Sequence, residues 1–573
     1  MIRSSKIKSK MNYRGVMIMK TTKYFSLACL KMASSILGAY TAIQDGSKEM
    51  TIESNVIMSD ELDNPPVTDK IQTILLKFSD ELDPATIAEA VKLYRIDSAG
   101  NPVEEACAVK IDLNDPKSIR VNNQDITRFD QGEEYKLVIK STLSSKNKAS
   151  LACDYVGYFA TNIDFDLSGN PMLNEERTQI IVASDFHLGV DSAFAELEKN
   201  KQALVDFLAQ VKNSPNVKEL VIGGDLLDEW FLPMDYQMPD SKAAFFDQVA
   251  ANNQAIIDGF NAIIKAGEIK VTYVPGNHDL LLTEADVARI FPGISQAREA
   301  LQGLGTYVTG PHSEIVIEHG HKYNFFCTPD PISNRTITND DTNILPPGYF
   351  FTRIATTCVI EGHPQSDNVF PEMIPNKEDP SQFNAYLYYQ TWKAILSVLP
   401  VKESFDDKVL KTNIDGFTEN YSINDCIPQQ DKETGIIDAT LYHNIQDTWE
   451  ERQTINGLTV KIPVSEAITR AAVPAFTDYQ AQTQFFDVDA SKRIVVFGHT
   501  HVADVIAMTN RDNQKNIYAN SGTWIDNAQG YPTRTFVVIT PPKAGAAIET
   551  VNLYQYSPDQ TITQWTEAQA IRI

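Results

Sequence analysis

Four times in this chain a short apolar run ends abruptly in a cluster of Asp, Asn and His. Residues 180–183 lead into Ser184-Asp185-Phe186-His187-Leu188-Gly189, and 220–222 into Gly223-Gly224-Asp225-Leu226-Leu227-Asp228-Glu229-Trp230. Residues 271–274 lead into Pro275-Gly276-Asn277-His278-Asp279, and 494–497 into Gly498-His499-Thr500-His501. Continuous apolar runs of this length read as strands buried on both faces. Helical stretches at 193–211 and 243–266 separate the first three, and a β-α-β-α-β rhythm packs helices on a sheet. Loops at the ends of such strands can converge on one point, which is what lone-pair donors from distant parts of a chain need if they are to share an ion.

At 573 residues the chain is too long for one compact core. Residues 50–166 carry short alternating strands. Ile74, Leu76 and Phe78 share one face, as do Tyr135, Leu137 and Ile139, and turn signals such as Ala99-Gly100-Asn101-Pro102 lie between. This part reads as a small all-β sandwich. Between the third and fourth loops lies a segment, 329–491, with helical stretches at 383–399, 437–452 and 464–485 and with Tyr386, Tyr388, Tyr389, Trp392 and Trp449. A structureless loop of that length is implausible, so it reads as a mostly helical inserted subdomain with the aromatic cluster as its core. Residues 1–46 read as a signal peptide or a disordered start. Basic residues from Arg3 to Lys23 precede an apolar stretch, 25–42, broken by Lys31. No later stretch is apolar enough to span a bilayer. Cys107 and Cys153 either pair or stay free.

The ordered set DxH, GDxxD, GNHD and GHxH resembles the motif series of the calcineurin-like metallophosphoesterases, from about Thr178 to the C-terminus without the insert, within an expected domain of 174–573. The resemblance implies a four-layer α/β sandwich and hydrolysis of a phosphate ester by a bridging metal-bound hydroxide. It places Asp185, His187 and His501 on a first ion and Asn277, His499 and His319 on a second, with Asp225 bridging. His321, two residues after His319, is the competitor for that position or lies behind it. His278 would act on the leaving oxygen, with Asp228 orienting it. Carboxylate and imidazole donors suit Mn, Fe or Zn rather than Ca or Mg. The run 83–86, 91–94 and 132–135 resembles the Ig-like domains of bacterial surface proteins, and Ser26-Leu27-Ala28-Cys29 resembles a lipoprotein attachment box.

The net charge of −25 repels nucleic acid and anionic lipid, so the expected substrate is a small phosphorylated molecule. The first reading is an exported phosphoesterase, periplasmic or at the cell surface, while a cytoplasmic location stays open. The alternatives are a UDP-diacylglucosamine-pyrophosphatase-like enzyme, hinted at by 224–230, a DNA-repair-nuclease-like enzyme, and a surface binding protein without turnover. His312, His363 and His443 fall outside the series and read as surface or core residues. Asp279 reads as a cap, and Asn520-Ser521-Gly522-Thr523-Trp524 as a structural turn.

Overall fold

A computed structural model describes residues 49–573, apart from 63, 70, 106, 124–128, 168–175 and 529. The signal-peptide and attachment-box readings therefore lie outside the described residues, as does the expected domain boundary at 174.

The N-terminal part is two facing sheets. One has the order Ile52–Ser54, Ile74–Phe78, Asp115–Asn123, Cys107–Asp112; the other Val67–Thr68, Tyr155–Thr161, Glu134–Ile139, Val91–Ile96, Pro102–Glu105. Alternation decides which side chains meet. Ile74, Leu76 and Phe78 from the first sheet and Leu93, Leu137 and Ile139 from the second share one core. Cys107 and Cys153 are both free thiols, the latter exposed.

From residue 179 a mixed sheet runs Ser295–Gln296, Lys270–Tyr273, Val217–Ile222, Gln179–Ala183, Thr535–Thr540, Ile548–Tyr556, Ile562–Gln564. The first four strands are parallel, and Thr535–Thr540 joins Gln179–Ala183 antiparallel. A second sheet runs Thr306–Thr309, His312–Glu318, Ile494–Phe497, Lys515–Asn520, Asp504–Thr509. The apolar runs are continuous because their two faces bury against different layers. Ile180 and Val182 pack on Ile315, Ile317, Ile494 and Val496 of the second sheet. Ile181 and Ala183 face the cluster that includes Leu204, Phe207 and Phe260, from the helices Lys201–Asn213 and Gln254–Ala266. On the far side of the second sheet, Phe497 meets Tyr323, Phe485 and Tyr518 ring to ring. This is the expected α/β sandwich of mixed sheets.

Several helices begin or break elsewhere than the apolar pattern suggests. The helix expected from 193 starts at Lys201, because the Asp526 carboxylate holds the backbone N–H groups of Glu198, Lys199 and Asn200 in a turn. The stretch 243–266 is two helices, Lys242–Asn252 and Gln254–Ala266. The Asn253 side chain between them donates to the Gly189 and Val249 carbonyls. In the insert, 437–452 divides into the strand Ile437–Asp438 and the helix Ile445–Ile455, and 464–485 breaks before Pro474. The insert's first long helix, Pro347–Ile360, had no counterpart in the apolar pattern.

The insert is anchored by two buried guanidinium groups that satisfy backbone carbonyls. Arg353 donates to Leu232, Pro233 and Lys411, and Arg452 to Phe325, Thr328 and Pro329. Of the aromatic cluster expected as its core, Tyr388, Tyr389, Trp392 and Trp449 are buried, while Tyr386 is only partly buried at its edge. Against the N-terminal sheets, Arg572 pairs with the buried Glu134 at 2.6 Å, and the Asn162 and Asn552 amides bond reciprocally at 3.0 and 3.1 Å.

Candidate metal centre

The four polar loops meet where the strands Gln179–Ala183, Val217–Ile222, Lys270–Tyr273 and Ile494–Phe497 end. Their glycines let the backbones approach this closely. A Cβ on Gly276 would sit 2.1 Å from Asp225 Oδ1, one on Gly224 2.4 Å from His319 Nδ1, and one on Gly498 2.4 Å from Asp185 Oδ2. Each motif glycine is therefore a contact point between one loop and the donor residue of another.

Around one point, His501 Nε2 lies 3.0 Å from Asp185 Oδ1, and His187 Nε2 lies 3.2 Å from His501 Nε2 and 3.9 Å from Asp185 Oδ1. Around a second, His319 Nε2 lies 3.2 Å from Asp225 Oδ2 and 3.1 Å from Asn277 Oδ1. Asp225 Oδ2 also lies 3.6 Å from His187 Nε2, so this one oxygen faces both groups. The His499 ring closes the second group, 5.3 Å from the His319 ring, and its Nε2 accepts from the Asn324 amide at 3.4 Å.

The imidazoles are oriented by what their other nitrogens do. His187 Nδ1–H donates to Asp228 Oδ2 at 2.7 Å, and His319 Nδ1–H to the Gly223 carbonyl at 2.8 Å, which leaves Nε2 of each toward Asp225. His321 is turned away: its Nε2–H donates to the Gly303 carbonyl at 2.9 Å, and its ring stands 5.3 Å from that of His319. Of the two candidates for this position, His319 is the one brought to Asp225 and Asn277.

His278 Nδ1 bonds Asp228 Oδ2 at 2.8 Å, the pairing expected of these two residues. Its ring is clamped between Trp230 and Phe231, at centroid distances of 4.6 and 4.9 Å. The other Asp228 oxygen accepts from the Trp230 and Phe231 N–H groups, both at 2.7 Å, so one carboxylate sets both the imidazole and its clamp. With Nδ1 engaged, Nε2 is left to face a cavity of about 240 Å³ that His278 lines with Asn277, His499 and His501. The rest of the cavity wall is mostly apolar, with Trp230 and Phe326 from before the insert and Phe351, Ile395 and Ala471 from within it.

Burial in this centre works against charge, and at His187, His319 and Asp225 opposite charges outweigh it. Burial would depress the His187 imidazole, but the Asp228 hydrogen bond and the charges of Asp225 and Asp228 hold its pKa up to about 10. Against the same burial, Asp225 and Asp185 hold His319 up to about 9. Burial and His319 push His499 down to about 3. Asp225 stays well below the usual carboxylate range despite burial, held there by His319 and His278. Three buried carboxylates, Asp185, Asp225 and Asp228, and the His187 and His319 imidazoles thus stabilise one another through charge, the environment a cation would share.

Three residues outside the expected donor set support the loops. Ser184 Oγ–H donates to Asp185, and its Oγ lies 2.6 Å from Ser521 Oγ. Asp279 does cap a turn, accepting from Gly276 N, but it also accepts from Leu226 N and so ties the third loop to the second. Asp478, from the insert, accepts from Thr500 Oγ, Tyr518 Oη and the Asn520 amide beneath the fourth loop. The stretch 520–524 is structural as expected: Thr523 Oγ–H and Trp524 N–H both donate to the Asp185 carbonyl.

Residues 178–351 match the sequence model of the calcineurin-like phosphoesterases, so the chain carries a calcineurin-like phosphoesterase segment there. That family binds divalent metals, and its members are metal-dependent phosphoester hydrolases in general. The matched span holds every motif donor up to His321 and stops before His499 and His501, which the fold returns to it. No curated protein matches the chain. Among solved structures, it is similar to the methionine-rich copper resistance protein PcoC of Escherichia coli, with 17% identity over 17% of this chain and 89% of that one, TM-score 0.15. It is also similar to CopC of Methylosinus trichosporium OB3b, with 14% identity over 18% of this chain and 88% of that one, TM-score 0.14. TM-scores this low carry no argument about this chain.

Proposed function

We propose that the chain is a dinuclear metallophosphoesterase acting on a small phosphate ester. The observation that carries this reading is the convergence of two donor groups on Asp225 Oδ2, beside a cavity lined by the clamped His278. The donor set fits two ions of the Mn, Fe or Zn class, since it mixes imidazole nitrogen with carboxylate and amide oxygen. Asp185, His187 and His501 would hold one, Asn277, His319 and His499 the other, and Asp225 both. When bound, such a pair supplies Lewis-acid stabilisation of phosphoryl oxygens and a nucleophile at neutral pH.

The chain's own residues do the rest. In its imidazolium form His278 gives the Nε2 proton to the departing oxygen, and Asp228 orients the ring by accepting from Nδ1–H. Trp230 and Phe231 keep the ring from turning. The insert covers the centre as a lid, and its apolar wall favours an ester whose organic group is aryl or alkyl over a polar one. The run 224–230 and the apolar wall together keep the lipid-precursor pyrophosphatase reading as the second choice. The charge of −25 speaks against a nuclease.

We further read the two-sheet N-terminal part as an Ig-like domain and the protein as exported, on the basis of the basic and apolar start. No described helix is long and apolar enough to cross a membrane.

The test is hydrolysis of a nitrophenyl phosphomonoester, its bis-ester and glycerol phosphate with added Mn, in wild type and Asp225→Asn. Turnover of a nitrophenyl ester, lost in the variant, is expected. Equal turnover in Asp225→Asn overturns the reading, and preference for glycerol phosphate overturns the apolar-group part alone. If metal binds but no ester is turned over, the binding-protein alternative takes its place.

A further inference from the structure

A second group of metal-type donors lies at the opposite end of the sandwich. His312 and Glu314 come from the start of the strand His312–Glu318, and Glu549 from the start of Ile548–Tyr556 in the other sheet. One donor atom from each lies within 4.8 Å of the others, and His312 Nδ1 is 3.2 Å from Glu314 Oε1. His312 is the residue that its position outside the motif series marked as ordinary.

The decisive feature is Glu549. Its side chain is fully buried, and neither carboxylate oxygen has a hydrogen-bond partner. A buried carboxyl left without partners is costly whether it is ionised or neutral, because even the neutral form has a donor and an acceptor to satisfy. The Glu314 carboxylate facing it makes the problem worse: burial and Glu314 together push Glu549 well up from its ordinary range. Arg493, the cationic side chain whose charge acts on Glu549, spends Nε and a terminal nitrogen on the Lys515 carbonyl, at 3.1 and 2.7 Å. A cation between the three donors would satisfy the Glu549 oxygens, cancel the repulsion from Glu314 and use the His312 nitrogen.

We propose that His312, Glu314 and Glu549 form a second, structural metal site for zinc or a similar divalent transition ion, pinning the two sheets together. One imidazole and two carboxylates suit zinc or manganese better than calcium, whose shells are all oxygen. The His312 and Glu314 side chains are 26% and 15% exposed, so an ion can enter from solvent while Glu549 forms the floor. The strand that begins at His312 ends next to His319. At roughly 3.3 Å per residue, this site stands on the order of 20 Å from the catalytic centre. It does not depend on the phosphoesterase reading, because nothing in it touches the reaction.

The experiment loads the full chain with Zn²⁺, dialyses it, and counts zinc per chain by mass spectrometry in wild type, His312→Ala and Glu549→Gln. Each variant should hold one equivalent less than wild type, keep its hydrolytic rate, and lose the part of the zinc-dependent rise in Tm that this site supplies. Zinc content in His312→Ala equal to wild type overturns the proposal. His312 is partly exposed and its replacement is tolerable to the fold, so that variant decides the matter even if Glu549→Gln does not fold.

Discussion

Replacing Gly276 by alanine isolates the close approach between loops from every other role a glycine can have. Gly276 does not adopt a left-handed backbone, so alanine there meets no conformational penalty. It meets Asp225 instead, with the new Cβ 2.1 Å from Oδ1 and 2.3 Å from the backbone nitrogen. Real side-chain carbons essentially never approach closer than 3.0 Å, so one of the two loops must move by about 1 Å. Overpacking of this kind costs about 1–3 kcal/mol of stability, which leaves most domains folded. The functional cost is larger, because metal–donor distances hold to about ±0.2 Å and a misplacement of about 1 Å costs on the order of 10²-fold in rate. Gly276→Ala should therefore be folded, short of bound Mn, and about a hundredfold slower on the nitrophenyl ester. Gly267→Ala is the control. Gly267 has φ +73° with nothing within 4 Å of a Cβ, so the change should cost about 1 kcal/mol of stability and no activity. If Gly276→Ala keeps its full complement of Mn and a rate within about threefold of wild type, the reasoning that the motif glycine positions Asp225 is wrong.

Asp228→Asn puts an amide where four donors converge, so kcat should fall about 10²–10⁴-fold. His278→Ala should fall as far, and the double variant little further. Only Asp228→Asn should also lose metal, because only it releases His187, and a metal assay separates the two. Arg572→Ala removes the ion pair at 2.6 Å with the buried Glu134 and should cost about 1.5–3 kcal/mol in denaturant unfolding, with native activity unchanged. Burial pushes Asp478 up to about 6 from 3.8, so the unfolded chain releases this proton first as pH rises. The stabilising contribution is complete below about pH 4 and lost by about pH 6, a change of about 3 kcal/mol. Asp478→Asn should lack that component, so its stability relative to wild type should rise by about that amount between pH 4 and 7 in urea titrations.

The candidate metal centre was legible because its residues sit at strand ends, where an apolar run stops and a glycine allows a close approach. His319 was harder, since His-Gly-His offers two imidazoles and the carbonyls of Gly223 and Gly303, from other parts of the chain, select between them. Asp478 could not be found from the motifs. It lies in the insert, far along the chain from Tyr518 and Asn520, and no local spacing announces it. The helix Pro347–Ile360 escaped for a different reason: Tyr349, Phe350, Ile354 and Cys358 are all buried, so it lacks the polar face that makes a helix visible as a 3.6-residue period. Glu549 was equally hidden. It is one acidic residue at the start of an apolar strand, and only the facing sheet makes its burial and its lack of partners apparent.

The backbone of the centre explains why donors two residues apart can serve one group. Asp185, His187, Asp225, His499 and His501 all have positive φ, from 48° to 64°. Successive side chains on a strand point to opposite faces, and donors at i and i+2 would ordinarily project parallel, not converge. A left-handed residue breaks that regularity and turns the next donor inward. Asp and His tolerate this region better than most residues, although each still costs about 1–2 kcal/mol. The loops hold one another in this shape through the main chain. Phe186 and His187 N–H donate to the Asp225 carbonyl, Leu188 N–H to Leu226, and Trp524 N–H to Asp185. The donors are thus placed by backbone bonds between loops. An ion would find its ligands already turned toward it, and the strain is borne by the sandwich.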